Sequence, residues 1–241
     1  MRTLVVGDIH GGLKALQQVL PKTGPSPKDR FIFLGDYVDG WSEAAETVSF
    51  LMDFSESYDC IFLRGNHDHL MYEYLKHNDS KAMWLAHGGQ ASKESYDALS
   101  SEEKQKHLTF YEALTNYHID AQNRLFVHAG FTNLSGPQYE YFADLVFWDR
   151  TLWEVARSID PDISEEDIRY PQRLKLFKEI YIGHTPVTRM GSTRPLHFAN
   201  LWNIDTGAAF KGPLSIMDID TKEVWQSQPV YQLYPYELGR N

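Results

Sequence analysis

Five short apolar runs in this chain each lead to a polar residue that can hold a metal ion or touch a phosphate. Thr3–Val6 leads to Gly7-Asp8, residues 31–34 lead to Gly35-Asp36, and residues 60–63 lead to Arg64-Gly65-Asn66. Residues 125–127 lead straight to His128, and residues 180–182 lead to Gly183-His184. Runs this short and this rich in Val, Ile, Leu and Phe read as strands buried on both faces. After the first run, Leu13, Leu16, Gln17 and Leu20 are spaced helically, and after the second so are Ala45, Val48, Leu51 and Met52. The opening third therefore reads βαβαβ. Its polar residues collect at the C-terminal ends of the strands, the edge where open α/β sheets place ligands.

Downstream, residues 69–122 read as mainly helical, broken at Gly88-Gly89, with a further helix starting near Ser100 and Ser101 ahead of Glu102-Glu103. Helices are also expected over residues 151–158 and 164–168. Residues 201–226 alternate as strands, with Asp220-Thr221-Lys222 as a hairpin turn. No linker or repeat divides the 241 residues, so they read as one domain, 1–241, with a mainly helical insertion at about 69–122. A net charge of −10 opposes binding to nucleic acid or to an anionic membrane. No apolar run approaches a bilayer span, and one cysteine, Cys60, forms no internal disulfide, so a cytoplasmic protein is expected.

Asp8 and His10 are two apart at a strand end, which puts both side chains on the same side in extended geometry. Asp36, Asn66, His128 and His184 stand at equivalent strand ends. Were those strands neighbours, six oxygen and imidazole donors would converge without a thiolate, a set suited to Mn²⁺, Fe or Zn²⁺. Six donors exceed what one catalytic ion with an open position uses. They suit two ions sharing one carboxylate at ~3.5–4 Å separation.

The segments that carry these residues are GDIHG (7–11), GDYVDG (35–40), RGNHD (64–68), VHAG (127–130) and GHTPV (183–187). In order and spacing they resemble the calcineurin-like metallophosphoesterases, and within them the bacterial serine/threonine phosphoprotein phosphatase branch. The likeness extends to WLAHGGQASKESY (84–96) and NIDTGA (203–208). It implies an α/β (α+β) fold of four layers, a central β-sandwich flanked by helices. It also implies two divalent ions, manganese first, with iron or zinc possible by the same donors. Asp8 and His10 would hold one ion, Asp36 would bridge, and Asn66, His128 and His184 would hold the other. His67 with Asp39 would be the general-acid pair, and Arg64 would contact phosphate. Hydroxide held between the ions would hydrolyse the ester. Proline at 186, where many family members carry a second histidine, agrees with the protein-phosphatase branch.

One position departs from the pattern. Protein phosphatases of this kind read GDxVDRG, with an arginine that clasps phosphate in two-pronged fashion, and this chain has Gly40-Trp41 there. Arg150, in FWDRT, is the candidate substitute, against the plainer reading of a helix-start arginine near Asp149 or Glu154. An arginine restored at Gly40 is expected to strengthen phosphate binding. The leading expectation is a phosphatase acting on phosphoproteins or small phosphate esters. The alternative is a dinucleoside-polyphosphate or other nucleotide hydrolase. Asp39 weighs against the diadenosine tetraphosphatase group, which resembles GDLVARG at this point.

Overall fold

The computed structural model describes residues 2–240. The runs identified above become strands of two five-stranded sheets. The first contains β1 (Thr3–Val6), β2 (Arg30–Phe33) and β3 (Asp59–Phe62), paired in parallel. It continues beyond β1 through antiparallel strands formed by Pro213–Asp218 and Val224–Pro229. The second contains β4 (Tyr117–Ile119), β5 (Arg124–Val127), β6 (Glu179–Ile182), β7 (Leu196–Phe198) and β8 (Leu201–Asn203), in the order β4-β5-β6-β8-β7. Numbering the first sheet's last strands β9 and β10, its order is β10-β9-β1-β2-β3.

Strict alternation along these strands makes the layers. Val5, Ile32, Phe126, Tyr181 and Met217 point inward and form the core between the sheets. Phe126 and Tyr181 stack there, ring centroids 4.9 Å apart. Truncating either to alanine would cost about 3–5 kcal/mol, because nothing else fills that volume. Leu4, Val6, Phe31 and Phe33 point the other way, onto α1 (Leu13–Val19) and α2 (Ala44–Ser55). Leu125, Val127, Ile180 and Ile182 do the same on the second sheet, against Leu152, Trp153 and Ala156. Helix, sheet, sheet, helix is the four-layer α/β arrangement expected.

The helical stretch comprises α3 (Asn66–His77), α4 (Ala82–Trp84), α5 (Gln90–Asp97) and α6 (Ser101–Ala113). The break at Gly88 is real, with φ at +103°. Ser100 and Glu103 form a reciprocal capping box at the start of α6, satisfying two otherwise orphaned N–H groups. β4 and β7 lie in stretches read without strands; each is three residues long, too short to show a period. Residues 164–168 do not form the expected helix. Ser164 and Asp167 accept from the N–H groups two residues ahead, Glu166 and Arg169, and these local bonds compete with a helical ladder. Ile168 is left 98% exposed, so no apolar face exists to hold a helix down. Ahead of that stretch the chain forms α7 (Leu145–Trp148) and α8 (Thr151–Ser158), the second as expected. No helix among the described residues is long and apolar enough to cross a membrane.

Candidate functional site

The parallel pairings β1–β2–β3 and β5–β6–β8 bring all the strand-end loops to one edge of the sandwich. There the six predicted donors meet, all buried. His10 Nε2 is 3.6 Å from Asp36 Oδ2 and 3.9 Å from Asp8 Oδ2. His128 Nε2 is 3.4 Å from the same Asp36 oxygen and 3.2 Å from Asn66 Oδ1, which is 2.8 Å from His184 Nδ1. Asp8, His10 and Asp36 form one group with ligand atoms within 4.8 Å of one another; Asp36, His128 and His184 form a second. Asp36 belongs to both.

The backbone that delivers these side chains is strained. His10, Asp36, Asp39 and His184 all adopt φ between +55° and +70°, which costs about 1–3 kcal/mol each for a residue with a side chain. Asp68 holds the loop in that shape. Its carboxylate accepts from the N–H groups of Asp36, Tyr37 and Gly65 at 2.7 to 2.8 Å.

Electrostatics prepare the donors for cations. Burial pushes His10 down to about 3 and His184 well below the ordinary histidine range, so both present neutral rings. Burial alone would raise Asp36, but His128, His67 and His10 outweigh it and hold that carboxyl well below the usual range. Burial opposes charge on His128 too, yet Asp36 beside it holds the ring up at about 9. The Nδ1 atoms of His10 and His128 face the backbone carbonyls of Asp39 and Leu34 at 2.8 Å, which directs each Nε2 at the cluster. Asp8 Oδ1 and His184 Nε2 are buried without a hydrogen-bond partner. Orphaned acceptors aimed into a cluster of carboxylate, amide and imidazole donors fit divalent ions, and the shared Asp36 fits a pair of them.

A cavity of about 260 Å³ opens over this cluster. His67 lines it and Asp39 lies behind, with His67 Nδ1 2.7 Å from Asp39 Oδ2. Trp84 Nε1 donates to the same carboxylate oxygen at 2.6 Å, tying the helical insertion to the pair. Arg150 also lines the cavity; it is the residue preceding α8, as the plainer reading had it, and its Nη1 donates to Thr185 Oγ1 at 3.0 Å.

Arg64 requires a correction. Its guanidinium does not line this cavity but donates to the carbonyls of Tyr111 and Leu114, at 2.8 and 3.5 Å, and lies over the Tyr72 ring. The turn at Gly65 into α3 sends Asn66 and His67 toward the cluster while Arg64 points to the far side, toward α6.

Asp205, Arg189 and Arg240 also line the cavity, and none of them was among the expected site residues. Asp205 follows β8 in the position equivalent to the other strand-end donors, so the rule that found them could have found it. Arg189 sits in the helical turn Val187–Met190, just after GHTP. Arg240 comes from the tail, and no motif or spacing points to it. Among the tryptophans, Trp148 forms part of the wall and is 44% exposed, while Trp41 is buried beneath the loop.

The calcineurin-like phosphoesterase pattern matches residues 1–205. The chain is 27% identical to bis(5'-nucleosyl)-tetraphosphatase PrpE [asymmetrical] of Bacillus mycoides (strain KBAB4), over 95% of this chain and 96% of that one. Among solved structures it resembles a metallophosphoesterase from Sphaerobacter thermophilus, with TM-score 0.51 and 20% identity over 94% of this chain and 87% of that one. It also resembles a protein serine/threonine phosphatase from Saccharomyces cerevisiae, with TM-score 0.55 and 15% identity over 95% and 80%. The matched span carries every strand that delivers a donor to the cluster, and the chain belongs to the calcineurin-like phosphoesterase family.

Proposed function

We propose that this chain hydrolyses a phosphate compound bearing an aromatic base and more than one phosphate, a dinucleoside polyphosphate or related nucleotide. This reverses the order expected from the sequence, which put phosphoproteins first. The observation that carries the reading is the make-up of the cavity mouth. Three guanidinium side chains, Arg150, Arg189 and Arg240, line it beside apolar walls from Trp148, Met83 and Phe210. One phosphoryl group cannot engage all three, whereas a polyphosphate can, and a base finds Trp148 or Phe210 to stack on. The naming of the Bacillus relative as a tetraphosphatase supports it. The phosphoprotein reading keeps one point in its favour, the retained Asp39 paired with His67.

In this reading Asp8, His10 and Asp36 hold one divalent ion, and Asp36, Asn66, His128 and His184 hold the other. Manganese is the first choice. When bound, the ions supply Lewis acidity toward phosphoryl oxygens and lower the pKa of water. The chain's own groups do the rest. His67 donates its Nδ1 proton to Asp39, which leaves Nε2 to carry a proton to the departing oxygen. Asp39 and Trp84 keep the ring in that orientation. Arg150 and Arg189 hold phosphoryl oxygens, and the role first given to Arg64 passes to the cavity arginines. The chain acts as one domain, since Trp84 from the insertion at about 69–122 and Arg240 from the tail reach the same cavity. A cytoplasmic setting accords with the single, partly buried Cys60.

The test is turnover by metal-stripped and reloaded protein on a panel of substrates. It holds an aryl phosphate, phosphoserine, phosphothreonine and phosphotyrosine peptides, a diadenosine polyphosphate and a phosphodiester. The highest kcat/KM is expected on the diadenosine polyphosphate. A tenfold or greater preference for any phosphopeptide would overturn the reading.

A further inference from the structure

The loop that lacks the expected arginine is not left open. Gly40 has φ of +140° and no side chain, and the stem of Arg240 runs past it. Arg240 Cγ lies 3.5 Å from the point where a Cβ on Gly40 would sit, and 2.9 Å from the equivalent point on Gly88. The stem thus threads between two glycines from different elements and carries its guanidinium into the cavity that His10, Asp36 and His184 also line.

The tail is fastened to this same loop by several independent contacts. Trp41, next to Gly40 in that departure, stacks on Tyr234 with ring centroids 5.2 Å apart. Ser42 donates from its backbone N–H and from its hydroxyl to Glu237, at 2.9 and 2.7 Å. The Tyr234 hydroxyl donates to Glu43. Arg240's own N–H donates to the Ala209 carbonyl at 2.9 Å, and its guanidinium carbon lies 5.5 Å from the centre of the Phe210 ring. Yet that guanidinium forms no ion pair among the described residues, and its Nε is buried with no hydrogen-bond partner there. Asp205 in the same cavity feels this charge, but no carboxylate among the described residues pairs with the guanidinium directly, which leaves its hydrogen-bonding edge for an incoming anion.

We infer that Arg240 supplies the phosphate grip that the loop at Gly40 lacks, alongside Arg150 and Arg189, delivered by the tail into the space that Gly40 vacates, with Trp41 as the platform that docks the tail. The ligand group is a phosphoryl oxygen pair, from a nucleotide or from a simple ester. The inference deepens the proposed function and rests on it only for the choice of substrate.

The experiment compares the wild type with Arg240→Ala and Arg240→Lys, each reloaded with metal, with inorganic phosphate as the probe in calorimetric titration. Metal content and melting temperature are measured on the same samples. Loss of one charge-assisted grip predicts that Arg240→Ala weakens phosphate binding about ten- to hundredfold with metal content unchanged. Arg240→Lys should recover only part of this, because an ammonium cannot make the paired contact. On turnover, the loss should fall on the substrate that the panel shows to be preferred, whichever it is. Wild-type phosphate affinity in a folded Arg240→Ala overturns the inference, as does a loss of phosphate and metal together. If phosphate binding weakens as stated but diadenosine polyphosphate is not cleaved, the inference stands and the nucleotide reading falls.

Discussion

At the scale of single residues, His67 shows how much of a mechanism rests on one hydrogen bond. Its Nδ1 is fixed by Asp39, and Asp39 in turn by Trp84, so the ring has one orientation and one free nitrogen. A proton donor matters most when the departing oxygen is strongly basic. His67→Ala should therefore keep its metal and lose ~10²–10⁴-fold in kcat on a phosphoserine peptide. It should lose far less on p-nitrophenyl phosphate, and little on a polyphosphate whose leaving phosphate is weakly basic. Asp39→Asn should show the same selectivity more mildly. Equal losses on all three substrates with full metal occupancy would remove His67 from the mechanism. His67 and Asp39 were legible in the sequence because they lie inside contiguous motifs. Arg64 was misplaced because a motif names a residue without saying which way its side chain leaves the backbone.

At the scale of elements, the loop at residues 35–41, the kink at Gly88 and the tail form one assembly. Gly88 sits at φ +103°, and a Cβ there would lie 2.9 Å from Arg240 Cγ and 3.0 Å from Gly40 N. Gly88→Ala should therefore destabilise the protein by about 1–3 kcal/mol through backbone strain, read as a lowered melting temperature. It should also push Arg240 off its path. An Ala variant as stable as the wild type would show that the kink can relax. The same geometry reverses the expectation for Gly40→Arg. The space beside Gly40 is already taken by Arg240, and a side chain there would meet the His10 carbonyl at 3.1 Å. Strain and collision are expected in place of a stronger grip. None of this could be read from residues 40 and 41 alone, because the residue packed beside them is 200 positions away.

At the scale of the whole molecule, a protein of net charge −10 gathers the buried imidazoles of His10, His67, His128 and His184 and three arginines at one sheet edge. Divalent ions would complete that inversion of local charge. Saturating reconstitution should give two metal equivalents per chain, chelation should abolish turnover, and Asp36→Asn should lower occupancy of both positions, since Asp36 belongs to both groups. One equivalent with full activity would sink the two-ion scheme. Proton linkage supplies a second readout. His128 sits at about 9 without metal, so a bound ion must displace a proton from it at neutral pH. Metal affinity should accordingly rise with pH up to about 9 and level off above it. Titrations in buffers of different ionisation enthalpy should reveal the released proton.

The sequence by itself determined the strands, the alternation that makes two buried faces on each, and the six donors at their ends. These are local matters: a period of two, a glycine, and a carboxylate or imidazole placed after the run. It also determined the family, because five such segments recur in one order. Only the tertiary structure decided which arginines line the cavity. That choice depends on side-chain direction for Arg64, on packing of α8 for Arg150, and on a docked tail for Arg240, all set by contacts between residues far apart in the chain. Short strands such as β4 and β7 were likewise decided by pairing with a neighbour, since three residues carry too little period to declare themselves.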